Sequence, residues 1–188
     1  MPDTATFPHR SMAELMSSLD HIRSAPADDG ALEAIVIRPA HGQRRMPESA
    51  ELSLSGGVAG DHWAQGCWMS TKDGAPHPDV QICIMNARCI ATIAGPRDNW
   101  APAGDNLFID MDLSPDNLPP GTRVALGTAE LEITAVPHSG CQSFIDRYGR
   151  DACVFVNTGP GKARRLRGIY ARVTRDGTVR VGDRIRKL

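Results

Sequence analysis

The stretch Gly121–Cys141, GTRVALGTAELEITAVPHSGC, decides how this chain folds. Its two runs TRVALG and AELEITAV are short, alternating and partly β-branched, and Gly and Pro bound them, which predicts two strands. Pro137 stops the second strand and a tight HSG follows. Cys141 then opens a run, QSFIDRYG, that has a helical apolar face (Phe144, Ile145, Tyr148) and a stop at Gly149. A thiol at a helix start, just after a strand, raises the question of chemistry together with that of fold.

The same texture extends in both directions. LEAIVIR, VQICIM, NLFIDM, ACVFVN and GIYARVT read as further short strands. The closing RDGTVRVGDRIRKL reads as two strands joined by a turn at Asp176-Gly177. NARCIATIAG reads as a helix capped by Asn86 and stopped by Gly95. Near the N-terminus, Ser11 and Glu14 form a capping box, and Met12, Leu15, Met16, Leu19 and Ile22 make an amphipathic stripe that ends before Pro26. That helix is expected to pack on the domain or on a second subunit in a homodimer. The prediction is a mostly β chain: a closed or nearly closed β-barrel over residues 31–188 with short peripheral helices, preceded by a helix and linker over residues 1–30.

Bulk properties narrow the function. The chain has 188 residues, 41% hydrophobic and 23% charged, with a formal net charge of −1, so one ordinary globular domain is expected. No basic field favours nucleic acid, no long apolar run predicts a membrane span, and the first residues lack the pattern of a secretory leader. A cytoplasmic location is therefore expected. The five cysteines, Cys67, Cys83, Cys89, Cys141 and Cys153, are odd in number and form no C-x-x-C, which argues against a zinc knuckle or a disulfide framework.

Among them Cys141 has the context of a reactive thiol. A helix start offers unpaired N–H groups and about half a positive charge, both of which favour thiolate. His138 could add a positive charge or shuttle a proton, and Gly140 leaves the approach to sulfur clear. Such a sulfur suits a nucleophile, a persulfide carrier or a metal ligand. Cys83 and Cys153 fall in runs read as strands, Cys89 on a packed helix, and Cys67 in a loop between Trp63 and Trp68. The competing reading is a non-catalytic anion- or ligand-binding barrel, or an interaction barrel, in which the cysteine is inert.

Five segments in order resemble the MOSC domain, the module named for its place at the C-terminus of molybdenum-cofactor sulfurases. They are the G-x-x-G-D loop at Gly57 to Asp61, Gly104 to Leu107, Gly121 to Gly127, Cys141 itself, and Gly168 to Asp183. The resemblance implies a β-barrel in which Cys141 either ligates the molybdenum of a molybdopterin cofactor or carries sulfur as a persulfide. It implies transfer of sulfur or reduction of N-hydroxylated compounds, with Asp61, His62 and Asn106 near the pocket. Because a pterin cofactor carries a phosphate, the basic run NTGPGKARRLRG offers Lys162, Arg164, Arg165 and Arg167 to hold it. The chain leaves no room for a pyridoxal-phosphate desulfurase domain, so a persulfide would come from a partner such as a PLP-dependent cysteine desulfurase, and a reductase would need a redox partner. Two features depart from the family pattern: HSG precedes the cysteine, and the HGG of one branch has no counterpart.

Overall fold

The computed structural model describes Phe7 and residues 9–188. Most of the N-terminal stretch judged not to be a leader, residues 1–6 and 8, therefore lies outside the described residues.

Seven strands close a barrel: β1 (Gly30–Ile35), β4 (Ile82–Asn86), β5 (Leu107–Asp110), β6 (Arg123–Leu126), β7 (Ala129–Ile133), β8 (Ile169–Arg175) and β10 (Arg184–Lys187). Their order around the wall is β1-β10-β6-β7-β8-β4-β5, and β5 pairs back onto β1. A separate three-stranded sheet of β2 (Ser49–Ser53), β3 (Gly57–Val58) and β9 (Gly177–Arg180) lies in the order β3-β2-β9. Barrel neighbours are antiparallel except β4 and β5. A parallel pair needs a crossover, and α4 (Ala87–Ala94), which follows the one-turn α3 (Trp63–Gly66) along the chain, supplies it. Asn86 begins that helix as expected: its Oδ1 accepts from Cys89 N–H at 2.9 Å, and its Nδ2 donates to Met111 O at 2.8 Å. Gly95 ends it at φ 74°.

The period-two pattern sorts side chains between two cores. Leu107 and Ile109 face the barrel interior with Leu131, Ile133, Ala171, Val173 and Ile185, while Phe108 faces outward to the helices. A register shift in β1 between Leu32 and Ala34 changes the phase, so Leu32 and Ile35 point inward and Ala34 outward. The outer core joins the barrel wall to α4 and to α1 (Met12–Ser17), α2 (Leu19–Arg23), α5 (Gln142–Tyr148) and α6 (Arg150–Asn157).

The N-terminal helix resolves into α1 and α2 around Ser18, with the capping box present. It packs on its own domain: Leu15, Leu19 and Ile22 are buried, and Met12 N–H donates to Asp151 of α6 at 2.8 Å. Met16, assigned to the stripe, is instead 42% exposed.

Two expectations change. ACVFVN is not a strand; it is the body of α6, with Ala152, Cys153, Phe155 and Val156 buried at helical spacing. The valines made it look extended, but Gly149 at φ 87° folds the chain back and tertiary packing overrides β propensity. Asp176-Gly177 is not the turn of a paired hairpin either. There the chain leaves β8, which pairs with β4 and β7, and joins the other sheet as β9 against β2. A Cβ on Gly177 would stand 2.4 Å from Ala129 N, so the crossing requires glycine. Among the described residues no helix is long and apolar enough to cross a membrane.

Candidate functional site

The strand ends near β1, β5, β7 and β8 gather a group of polar side chains that the hydrocarbon core cannot hold. Asn106, just before β5, is fully buried and uses its whole amide. Its Oδ1 accepts from Cys83 N–H and from Arg38, each at 3.1 Å; its Nδ2 donates to Val36 O at 3.2 Å and to Asp61 at 3.0 Å. Asp61 is likewise saturated, accepting from Arg38 Nε at 2.9 Å, from the Arg38 and Trp63 backbone, and from Asn106. Burial opposes its ionisation, but the Arg38 bonds outweigh it and hold the carboxyl below its ordinary range. The side-chain polar atoms of Asp61 and Asn106, both expected near the pocket, are thus engaged within the fold as clamps. His62 is different: its Nδ1 donates to Arg38 O at 2.9 Å and the ring is partly exposed, which leaves Nε2 available.

A second clamp lies beneath the cysteine loop. Arg167 is buried and its NH1 donates to both oxygens of Asp105, at 3.0 and 2.7 Å, while its NH2 donates to Ala103 O at 3.0 Å. Its guanidinium sits 4.9 Å over the Phe144 ring of α5. Burial works against the charge, but Asp105 beside it keeps the guanidinium protonated. Arg167 is therefore internal, tying the β5 entry to α5, and is not a surface contact for a phosphate.

His138 packs against Tyr170 with ring centroids 4.4 Å apart and planes tilted by 32°, and its Nδ1 lies 3.5 Å from Asp105 without a hydrogen bond. Gly168 (φ 118°) makes room, since a Cβ there would stand 3.1 Å from that Nδ1 and 2.4 Å from Ile84 O. Burial, then the charges of Arg167 and Arg38, push the imidazole well below its usual pKa. His138 is accordingly neutral near pH 7 and does not supply the positive charge expected of it. The sign for stability follows. The native state refuses a proton that the unfolded chain accepts below about pH 6.5, so stability is full above that value and falls as the pH drops through it. His138→Gln should flatten the ΔG-versus-pH curve between about pH 5 and 6.5, measured by urea unfolding; an unchanged slope would place the acid sensitivity elsewhere.

Cys141 is the N-cap of α5, in extended backbone, and it is exposed. Its sulfur makes no capping hydrogen bond of ordinary geometry; the helix start acts on it as a set of dipoles. Partial burial raises its pKa, but the Phe144 and Ser143 amides, the Ser143 hydroxyl and the charge of Arg167 outweigh it, and the net shift is downward. Its neighbours contrast with it. Burial pushes the Cys83 thiol up to about 11 and the Cys89 thiol higher still. Cys153 lies on α6, not on a strand.

Beside the loop is a pocket of about 430 Å³ lined by Thr134 to Ser139, Asn157, Lys162, Arg165 and Gly168 among others. Cys141 is not in its wall but follows Ser139, which is, by two residues. Of the four basic candidates, Lys162 and Arg165 line this pocket. Lys162 belongs to a short helix α7 (Gly159–Ala163), and Arg165 adopts φ 52° while its NH1 donates to Leu118 O at 2.8 Å. Arg164 turns away toward Asp112, 3.9 Å off, and leaves the set with Arg167.

The model of one protein family, described as MOSC domain, matches residues 71–186, more than half of the chain. The chain belongs to the MOSC domain family. Among solved structures it is similar to the YuaD protein from Bacillus subtilis, with TM-score 0.57 and 21% identity over 83% of this chain and 93% of that one. YiiM from Geobacillus stearothermophilus gives 0.55 and 14% over 85% and 75%, and YiiM from Escherichia coli 0.52 and 18% over 84% and 69%. At these identities the likeness extends to the fold. No curated protein matches the chain. The matched region of this MOSC protein contains the pocket, Cys141 and Asn106, whereas Arg38 and Asp61 precede it. Sequence reading missed Arg38 and Asp105. Asp105 sat beside the chosen Asn106 in GDN, but nothing local marks Arg38, whose partners are up to 68 positions away.

Proposed function

We propose that this MOSC protein uses Cys141 as a soft, ionised sulfur that ligates the molybdenum of a molybdopterin cofactor, in reduction of N-hydroxylated compounds with a separate redox partner. The observation that carries this reading is an exposed thiol of lowered pKa at the head of α5, beside a basic pocket of about 430 Å³. The residues fit such a group. The pocket falls within the ~300–1,000 Å³ of small-molecule sites. Lys162 and Arg165 offer positive charge to a phosphate, and the buried Nδ1 of His138 has no partner of its own. Cys141 would hold the metal, and the bound cofactor would supply oxygen-atom transfer. The chain's own residues keep the sulfur ionised, bring positive charge to the pocket wall and keep His138 neutral, a hydrogen-bonding ring with one N–H and one acceptor nitrogen.

A second reading rests on a specific feature: Cys141 is exposed and lies outside the pocket wall. An open thiolate alone suits sulfane sulfur, received as a persulfide from a partner such as a PLP-dependent cysteine desulfurase. Five unpaired cysteines suit a reducing cytoplasm in either case.

Metal and sulfur analysis of protein purified anaerobically separates the two. Molybdenum near one atom per chain supports the first reading, and an extra sulfur on the Cys141 peptide supports the second. Iodoacetamide labelling tests what both share. A lowered pKa shifts the thiolate fraction to lower pH, so the rate at Cys141 should level off below the pH at which an ordinary cysteine of pKa about 8.5 does. A Cys141 rate that climbs through pH 9, with no uptake of cofactor or sulfur, would return the protein to the inert-cysteine reading.

A further inference from the structure

The connection from β7 to α5 that delivers Cys141 is held by one side chain. Among the described residues, the backbone from Ala135 to Gly140 makes hydrogen bonds only at Gly140, and both go to Asn157. Gly140 N–H donates to Asn157 Oδ1 at 2.9 Å, and Asn157 Nδ2 donates back to Gly140 O at 3.3 Å. A carboxamide presents an acceptor and a donor side by side. It therefore exchanges two bonds with one residue, as the facing residue of an antiparallel strand does. Nδ2 also donates to Cys153 Sγ at 3.3 Å, one turn back on α6, which fixes the rotation of the carboxamide. A Cβ on Gly140 would stand 2.9 Å from Asn157 Nδ2, so glycine lets the two groups close on each other. The support behind Asn157 is firm. It is the last residue of α6, whose Ala152, Phe155 and Val156 are buried. Helix α7 lies so near that a Cβ on Gly161 would stand 1.7 Å from Phe155 O. Asn157 also lines the pocket together with Lys162 and Arg165. One side chain thus belongs to the cavity wall and grips the peptide next to Cys141.

We propose that Asn157 is a positioning residue: by holding the Gly140 peptide it sets the Cys141 sulfur beside the basic pocket. The inference rests on the reading of Cys141 as the cargo-bearing residue, and it concerns where that sulfur stands, whichever cargo it carries. The side chain is specific for the task. Aspartate accepts but cannot donate, leucine does neither, and glutamine is longer by a methylene and would push the peptide away. Without Asn157 the chain has no hydrogen bond of its own between Thr134, whose N–H donates to Tyr170 O, and Cys141, whose carbonyl accepts from Phe144 N–H. The connection would then sample positions away from Lys162 and Arg165. The barrel and the helical layer do not depend on these two bonds, because their cores are built from other residues.

The test makes two measurements on the reduced full-length chain. Amide hydrogen exchange followed by NMR should show Gly140 N–H exchanging at least about tenfold more slowly than Ala135 and Ser139, after allowance for local sequence. Asn157→Leu should erase that difference. The second measurement lets iodoacetate and iodoacetamide compete at equal concentration, and reads both products on the tryptic peptide 124–147, whose single cysteine is Cys141. Both reagents attack the same thiolate, so its degree of ionisation cancels from the ratio. What remains is the pull of nearby positive charge on the anionic reagent. The wild-type ratio should exceed that of free cysteine about threefold or more, and Asn157→Leu should remove most of the excess. Asn157→Ser, shorter and still polar, replaces the leucine variant if that one fails to fold. A fast Gly140 amide in the wild type would overturn the proposal. So would a ratio that stays put when the amide is released, which would make Asn157 a support of the fold alone. Protein with the expected exchange and ratios but no molybdenum or extra sulfur would count against the proposed function and leave the positioning role standing, so the two failures are told apart.

Discussion

Arg167→Ala is expected to lower unfolding free energy by about 3–5 kcal/mol, the cost of stranding a buried charge after its partner is removed. Asp105 has no exposed surface, and Arg167 gives it two of its short bonds. Without the guanidinium the carboxyl must stay ionised in hydrocarbon or take up a proton, and both are unfavourable. The substitution also removes the cation over Phe144, which helps hold α5 to the barrel. For a chain of this size the melting temperature should fall by roughly 6–20 °C. Replacing both partners, Arg167→Met with Asp105→Leu, should recover much of the loss, because two apolar groups leave no orphan charge. Thermal and urea unfolding of the two variants beside the wild type measures this. A single variant within about 1 kcal/mol of the wild type would mean that the pair contributes little.

Cys141→Ser is expected to do the opposite: no measurable change in stability, within about 0.5 kcal/mol, and complete loss of cargo. The residue is exposed and its sulfur makes no hydrogen bond that holds the fold. A hydroxyl does not ionise near neutral pH, does not bind soft metal as thiolate does, and cannot form a persulfide. Bound molybdenum or extra sulfur, whichever the wild type retains, should drop below detection in the variant while its circular dichroism is unchanged. Full cargo on Cys141→Ser would remove Cys141 from the site. Cys67→Ser, altering a partly buried thiol that packs with Val80, Cys83 and Tyr170 and is not in the pocket wall, serves as the comparison and should keep wild-type loading.

The barrel was legible because alternation and turn residues are local signals. TRVALG and AELEITAV became β6 and β7, paired Arg123 to Glu132 through Leu126 to Ala129. Asn86 and Gly95 marked both ends of α4 for the same reason. ACVFVN was illegible because its valines favour a strand, whereas its burial is decided by α1 and α7, which no local window contains. At the site, Cys141 could be read from its place at a helix start. The clamps could not: Asp61 and Asn106 looked like ligands because polar residues in glycine-rich loops look alike until their partners are known. Arg38, 23 positions from Asp61, turns that pair into internal scaffolding. Arg164 and Arg165 are adjacent in sequence yet face different surroundings, a difference set by the left-handed backbone at Arg165.

The filled interior of the barrel has a consequence for how such a protein can diversify. Leu32, Ile84, Ile109, Leu131 and Val173 belong to one buried hydrocarbon cluster that packs the lumen. The pocket beside the cysteine loop is lined largely by segments that connect the strands, standing on this packed plug. Such a body can exchange its loops for new specificities while its staves stay the same, much as a handle accepts different blades.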